Sequence, residues 1–262
     1  KDLANTMLIS ADLSNTNLTN VNLSGKDLTG TILTGADFTN ANLAGVGLSG
    51  KDMTGTTLTG ADLSNTNLIG VDLSGTNLTG TILAGVDLSG TDLTGTILIG
   101  ADLSGKDFTG TILKRANLSD TNLTGVDLSG VDLTETILRR ANLSDTNLTG
   151  VDLFGRDFTG TILTGADLSG KDLSNAILVN ANLENVTLEN AKLLNVNLDS
   201  ANLTNANLRN TLLVDANLSN AILTGADLSN AVLTGAILTG ADLENAVLTN
   251  AILNCIGHSV CI

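Results

Sequence analysis

Cys255, His258 and Cys261 have the most chemistry to offer, and each stands three residues from the next. Three fates are open to them. Two thiolates and an imidazole could ligate a metal, although three ligands fall short of the four of a closed structural zinc site. The thiols could instead close a small hairpin as a disulfide, which would place the chain in an oxidising compartment, outside the cell or at its surface. They could also stay reduced. Catalysis finds little support. A nucleophile needs a base and a group that orients the base, yet His258 is the single histidine and the chain has no Tyr, Trp or Pro. Asp is plentiful, but at a repeated position with equally acidic neighbours and in no recognisable cleft. Recurrent Asn-Leu-Ser/Thr tripeptides such as those at Asn17, Asn117 and Asn142 are products of the repeat, not glycosylation signals. No enzyme and no cofactor is expected.

Charge excludes further classes. The net charge is −15, from 27 acidic and 12 basic residues. Contacts to phosphates of nucleic acid or anionic lipid need Lys and Arg, so neither partner is expected. Solubility is the plain reading of the charge, and imitation of a polyanion the sharper one. Uninterrupted apolar runs reach three residues or so, against the roughly 20 that span a bilayer, so membrane insertion is not expected. Lys1 begins already in register with no visible leader, which suggests a processed chain or a piece of a longer one.

What must position these residues is a five-residue pattern: small residue, Asp or Asn, Leu, Ser or Thr, Gly or Asn. Ala11-Asp12-Leu13-Ser14-Asn15 is one copy. The pattern runs through 51 copies without insertion or deletion, its centre at residues 3, 8, 13 and onward to 253. Phe38, Met53, Phe108 and Phe158 are the only central residues that are not Leu. Five matches neither the 3.6 of a helix nor the 2.0 of a strand. It suits a chain that turns a corner in every copy. Leu then opens a type II β-turn whose third residue needs φ > 0, which Gly accepts freely and Asn better than most. Leu and the small residue point inward, and Asp or Asn points out. Four corners would close a coil of 20 residues, with coils stacked about 4.8 Å apart by parallel pairing.

The motif resembles that of the pentapeptide-repeat proteins, and the resemblance covers residues 1–253. It implies an all-β, right-handed quadrilateral β-helix of about 12–13 coils, a rod roughly 60 Å long at that stacking distance. Some relatives, the quinolone-resistance and gyrase-protection proteins, imitate B-DNA and engage type II topoisomerases. Those commonly use Phe at the centre, a C-terminal dimerisation helix and, in several cases, loops between coils; here Phe takes only three of the 51 centres, and the other two features are not seen. A rigid interaction rod or spacer, bound to a protein partner or to itself, is the leading expectation. A DNA mimic of a topoisomerase and a divalent-cation-binding acidic surface follow.

Along the chain, residues 1–253 read as one continuous solenoid with sub-regions 1–175 and 176–253, followed by a cap or tail at 254–262. In the first sub-region Lys1, Lys26, Lys51, Lys106, Arg156 and Lys171 occupy the small inward position. Their stems should lie along the wall, with the charged heads emerging at a corner to meet carboxylates. Beyond residue 175, Ala takes over the inward position and no basic residue stands there. Residues 20 apart should be neighbours, so Arg115 is expected beside Glu135 and Asp120 beside Arg140. One outward column carries an acidic ladder, Asp52, Asp72 and Asp92, then Asp132, Asp152 and Asp172. Its far end turns apolar at Leu212, Val232 and Ile252, joined from the next position by Phe154, Leu194 and Val214. That stripe is the candidate contact face.

Overall fold

The computed structural model describes residue 3 and residues 6–261; the expectation for Lys1 lies outside them. The chain divides into two compact units, Lys1–Ile137 and Leu138–Ile262. The change of composition at residue 175 falls inside the second.

Both units are built from the same local device. The Leu8 carbonyl accepts the Ala11 amide at 2.9 Å, and later copies repeat this bond from the small residue to the Leu three before it. Every fifth residue from 10 to 250 has positive φ, 53° at Asn15 and 70° at Gly30 for example, the third position of a type II turn. The sequence reading had no account of the Asp or Asn before Leu, and the structure supplies one. Asp12 Oδ1 accepts the Ser14 amide at 3.0 Å and Asn17 Oδ1 accepts the Thr19 amide at 3.1 Å. An Asx bond of this kind satisfies an amide that the turn itself leaves unpaired.

Turns are joined into a β-helix by isolated parallel bridges between residues 20 apart, such as Asn22↔Asn42 and Asn42↔Asp62. Each wall contributes one bridge residue, and among the described residues there is no helix and no longer strand. The core is the leucine column, with Phe38, Met53, Phe108 and Phe158 in the same register and as fully buried. Most buried inward threonines donate their hydroxyls to leucine-position carbonyls, and Thr76 does not. Thr56 uses Met53 O of its own turn at 2.8 Å, and Thr91 uses Leu68 O one coil earlier at 3.1 Å.

Inward lysines break this regularity. Bridges lapse at 32↔52, at 87↔107 and at 152↔172, and also at 27↔47, 82↔102 and 147↔167, while flanking pairs hold. Lys51, Lys106 and Lys171 stand between the two affected residues of the later coil. Their ammoniums hydrogen-bond to main-chain carbonyls rather than to carboxylates, which corrects the expectation for these three. Lys51 Nζ donates to Thr31 O at 3.3 Å, Lys106 Nζ to Leu83 O at 2.5 Å and Val86 O at 3.1 Å, and Lys171 Nζ to Leu148 O at 2.9 Å. In a closed ladder Thr31 O and Val86 O would accept the amides of Asp52 and Asp107, as Thr16 O accepts that of Asp37. A stem too long for a site shaped for Ala, Thr or Val holds the coils apart; at Lys51 and Lys106 the ammonium takes over the stranded carbonyl, while at Lys171 it joins Leu148 O, which also accepts the Val151 amide. Burial lowers the Lys106 pKa, opposed by the charges of Asp102 and Asp87.

Candidate interaction surface

The outward column runs through both units with different results. In the first, Asp52, Asp72 and Asp92 are linked by consecutive parallel bridges. Each carboxylate accepts the amide two residues on, from Thr54, Ser74 and Thr94, at 2.9 Å. The Thr54 hydroxyl, then its amide, hold Asp52 below the usual carboxylate range. Stacked carboxylates are thus anchored one by one to their own turns. Asp132 stands outside the bridge ladder. In the second unit the cleft at Lys171 separates Asp152 from Asp172, and Asp172 lies 3.8 Å from Lys192 Nζ.

The same column continues Lys192, Leu212, Val232, Ile252 through unbroken bridges. Leu212 is 38% exposed and Ile252 47%, while Leu194 and Val214 beside them are half-buried. Phe154 is 54% exposed, and Ser174, in register between Phe154 and Leu194, is buried. The adjacent column adds two residues the sequence reading passed over, Ile237 and Ile256, joined by a parallel bridge. Ile237 was legible as another apolar outward residue. Ile256 was not, because it pairs after 19 residues rather than 20: Cys255 N–H bonds back to Leu253 O at 2.7 Å, shortening the corner by one residue.

That shortened corner opens the terminal loop. Cys255 and Cys261 are bonded to each other, and His258 Nδ1 accepts the Val260 amide at 3.3 Å. Gly257, with φ 87°, lies so close to Thr239 that a Cβ there would collide with its hydroxyl. Among the described residues no group of three or more His, Cys, Asp or Glu side chains is arranged to hold a metal ion.

Arg115 Nε lies 2.7 Å from Glu135 Oε2, and this pairing holds Glu135 below its usual pKa. Asp120 belongs to the first unit and Arg140 to the second, so that pairing stands as an expectation. Two further pairs, Arg139 with Asp157 at 2.6 Å and Arg209 with Asp227 at 3.4 Å, follow an 18-residue spacing. A basic residue just after the central Leu, with Asp 18 residues on, was the signal for them. Among the described residues no helix is long and apolar enough to cross a membrane.

The profile described as Pentapeptide repeats (8 copies) matches residues 1–25 and, in overlapping segments, 27–250. Among solved structures the chain is similar to HetL, a pentapeptide repeat protein involved in heterocyst differentiation regulation from the cyanobacterium Nostoc sp. strain PCC 7120. The identity is 31%, over 98% of this chain and 93% of that one, with a TM-score of 0.28. It is also similar to Rfr23 from the cyanobacterium Cyanothece 51142 (28% identity, 62% and 91% covered, TM-score 0.18). A third is QnrB1, a plasmid-mediated fluoroquinolone resistance protein (19% identity, 61% and 87% covered, TM-score 0.31). No curated protein matches.

Proposed function

The chain belongs to the pentapeptide-repeat family, and from that premise we propose that it is a non-catalytic interaction solenoid, a right-handed four-sided β-helix that presents one wall to a protein partner or to a second copy. The 20-residue register of its bridges, four pentapeptides per turn, supports the four-sided form. The observation that carries the function is the apolar wall of Leu212, Val232 and Ile252, three consecutive bridged residues of one column, where exposed isoleucines such as Ile82, Ile162 and Ile222 stand singly in theirs. An exposed apolar stripe on a regular β surface has no structural work to do where it stands, and contiguous patches of that kind mark contact sites. The Cys255–Cys261 bond favours an oxidising compartment, extracellular or at the cell surface.

The test is crosslinking with mass-spectrometric mapping, run on the wild type and on a Leu212→Asp, Ile252→Lys variant. Crosslinks to a partner, or to a second copy, should concentrate on residues 192–256 and vanish in the variant. Crosslinks that survive it, or that map only to other walls, would remove the proposal.

A second reading has its own observation, the bridged Asp52, Asp72 and Asp92. Carboxylates repeating at about 4.8 Å along a wall form a linear array of negative charge suited to a cationic groove such as that of a type II topoisomerase. DNA supercoiling by gyrase, unaffected at micromolar protein, would dispose of it.

A further inference from the structure

A fourth inter-coil cleft has Lys106 in its wall, but the ammonium of Lys106 turns away from it, into the preceding cleft, to donate to Leu83 O and Val86 O. The fourth cleft lies in the first unit between residues 106–111 and 127–132 and encloses about 530 Å³. Bridges lapse there at 107↔127 and 112↔132, in the same two-wall pattern as at the other clefts. The residue in the place of Lys51, Lys106 and Lys171 is Val131, and the carbonyl in the place of Thr31 O and Val86 O is that of Thr111. Val131 is too short to bring a donor to that carbonyl. Among the described residues it is also the one inward valine that is not buried, so the cleft reaches the inward position.

Three carboxylates outnumber the single Lys106 along the walls of this cleft. Asp107, Asp127 and Asp132 line it, each with Oδ1 accepting the amide two residues on, at 2.8, 2.9 and 2.8 Å. These bonds fix the carboxylates at the rim. In the three sibling clefts, opened coils are bridged by an alkylammonium that donates to main-chain carbonyls. We infer that the fourth cleft is a binding site for a primary alkylammonium group supplied from outside. The ammonium donates to Thr111 O as Lys51 does to Thr31 O, and the rim carboxylates balance its charge. Three N–H donors serve both acceptor types at once, which a quaternary ammonium cannot do. A free amine and the side chain of a partner's lysine share this chemistry.

The experiment is an NMR titration of the full chain at low salt with n-butylamine, alongside Nα-acetyl-lysine methylamide and tetramethylammonium. Saturable shifts are expected at residues 107–111 and 127–132 with both primary amines and not with tetramethylammonium. Tighter binding of the lysine derivative assigns the site to a partner's lysine, and equal binding assigns it to a free amine. Val131→Lys should fill the cleft from within and weaken butylamine at least tenfold. Asp132→Asn, whose amide oxygen can keep the turn bond, should weaken it at least fivefold and decides the matter if the lysine variant does not fold. No saturable binding overturns the inference, as does equal binding of tetramethylammonium, or unchanged affinity in the Val131→Lys variant or, where that one does not fold, in Asp132→Asn.

Discussion

From Ile177 to Ile252 every outward residue is bridged to the one 20 positions away, whereas between Asp12 and Ile137 the bridging lapses at three places. Both stretches use the same turn and the same leucine column. They differ at the small inward position, where Ala, or now and then Val or Thr, lets successive coils close. Lysine there does not, at two of the three places, and the third opens at Val131. The two regions teach that solenoid regularity is set less by the conspicuous leucine than by the size of the residue two places before it. One wedge, repeated at Lys51, Lys106 and Lys171, parts the coils without disturbing the turns themselves.

The strongest test of that contrast is core deletion. Leu203→Ala, in the closed stretch, should cost the full 2–5 kcal/mol of a buried leucine. Leu88→Ala, in a coil flanked by interrupted pairing, should cost clearly less, because neighbouring coils can settle into the space. Urea unfolding of both variants measures the difference, and equal losses would erase the distinction between the regions. Reduction of Cys255–Cys261 comes next. Freeing a loop of this length should remove about 2 kcal/mol. Hydrogen exchange should place that loss at residues 236–261, leaving amides of the first unit unchanged.

A smaller effect of opposite sign is expected for Lys106→Ala. Restoring the Asp107 amide to Val86 O should add about 1 kcal/mol and slow exchange of that amide at least tenfold. Arg115→Gly is the mildest change. It relieves a left-handed arginine, worth about 1 kcal/mol, and gives up an exposed ion pair of at most about that size. The melting temperature should stay level or rise slightly.

Acid should reach both regions through the same turns. Asp37, Asp62 and Asp227 are all held below the usual carboxylate value, chiefly by the hydroxyl two residues on, with the amide of that residue also contributing. A carboxylate with a depressed native pKa contributes stability above its unfolded value, near 3.9, and loses it as pH falls through the native one. Stability should therefore be flat above about pH 5 and decline below about pH 4, as a pH series of thermal melts will show.

Much of the architecture was legible. The strict period, the Gly or Asn at every fifth place and the inward leucines belong to local chemistry, and Asn15 or Gly30 can be assigned a left-handed corner without knowing anything beyond its own pentapeptide. The candidate surface was legible only in part. Leu212, Val232 and Ile252 could be aligned by counting in twenties, but Ile256 could not, because a shortened corner at Cys255 shifts the count by one. The exit of the lysine heads was misjudged for a related reason. An ammonium chooses between a carboxylate in water and a stranded carbonyl between coils, and that carbonyl exists only once the coils have been held apart.

Taken alone, the amino-acid order determined the turn, the inward and outward faces and the family, since each depends on residues within five positions of one another. The three-dimensional structure decided where coils close and where they part, which charges meet backbone rather than solvent, and which apolar side chains share a wall. Those outcomes rest on contacts 18 to 23 residues apart, whose spacing is set by the bulk of what lies between them.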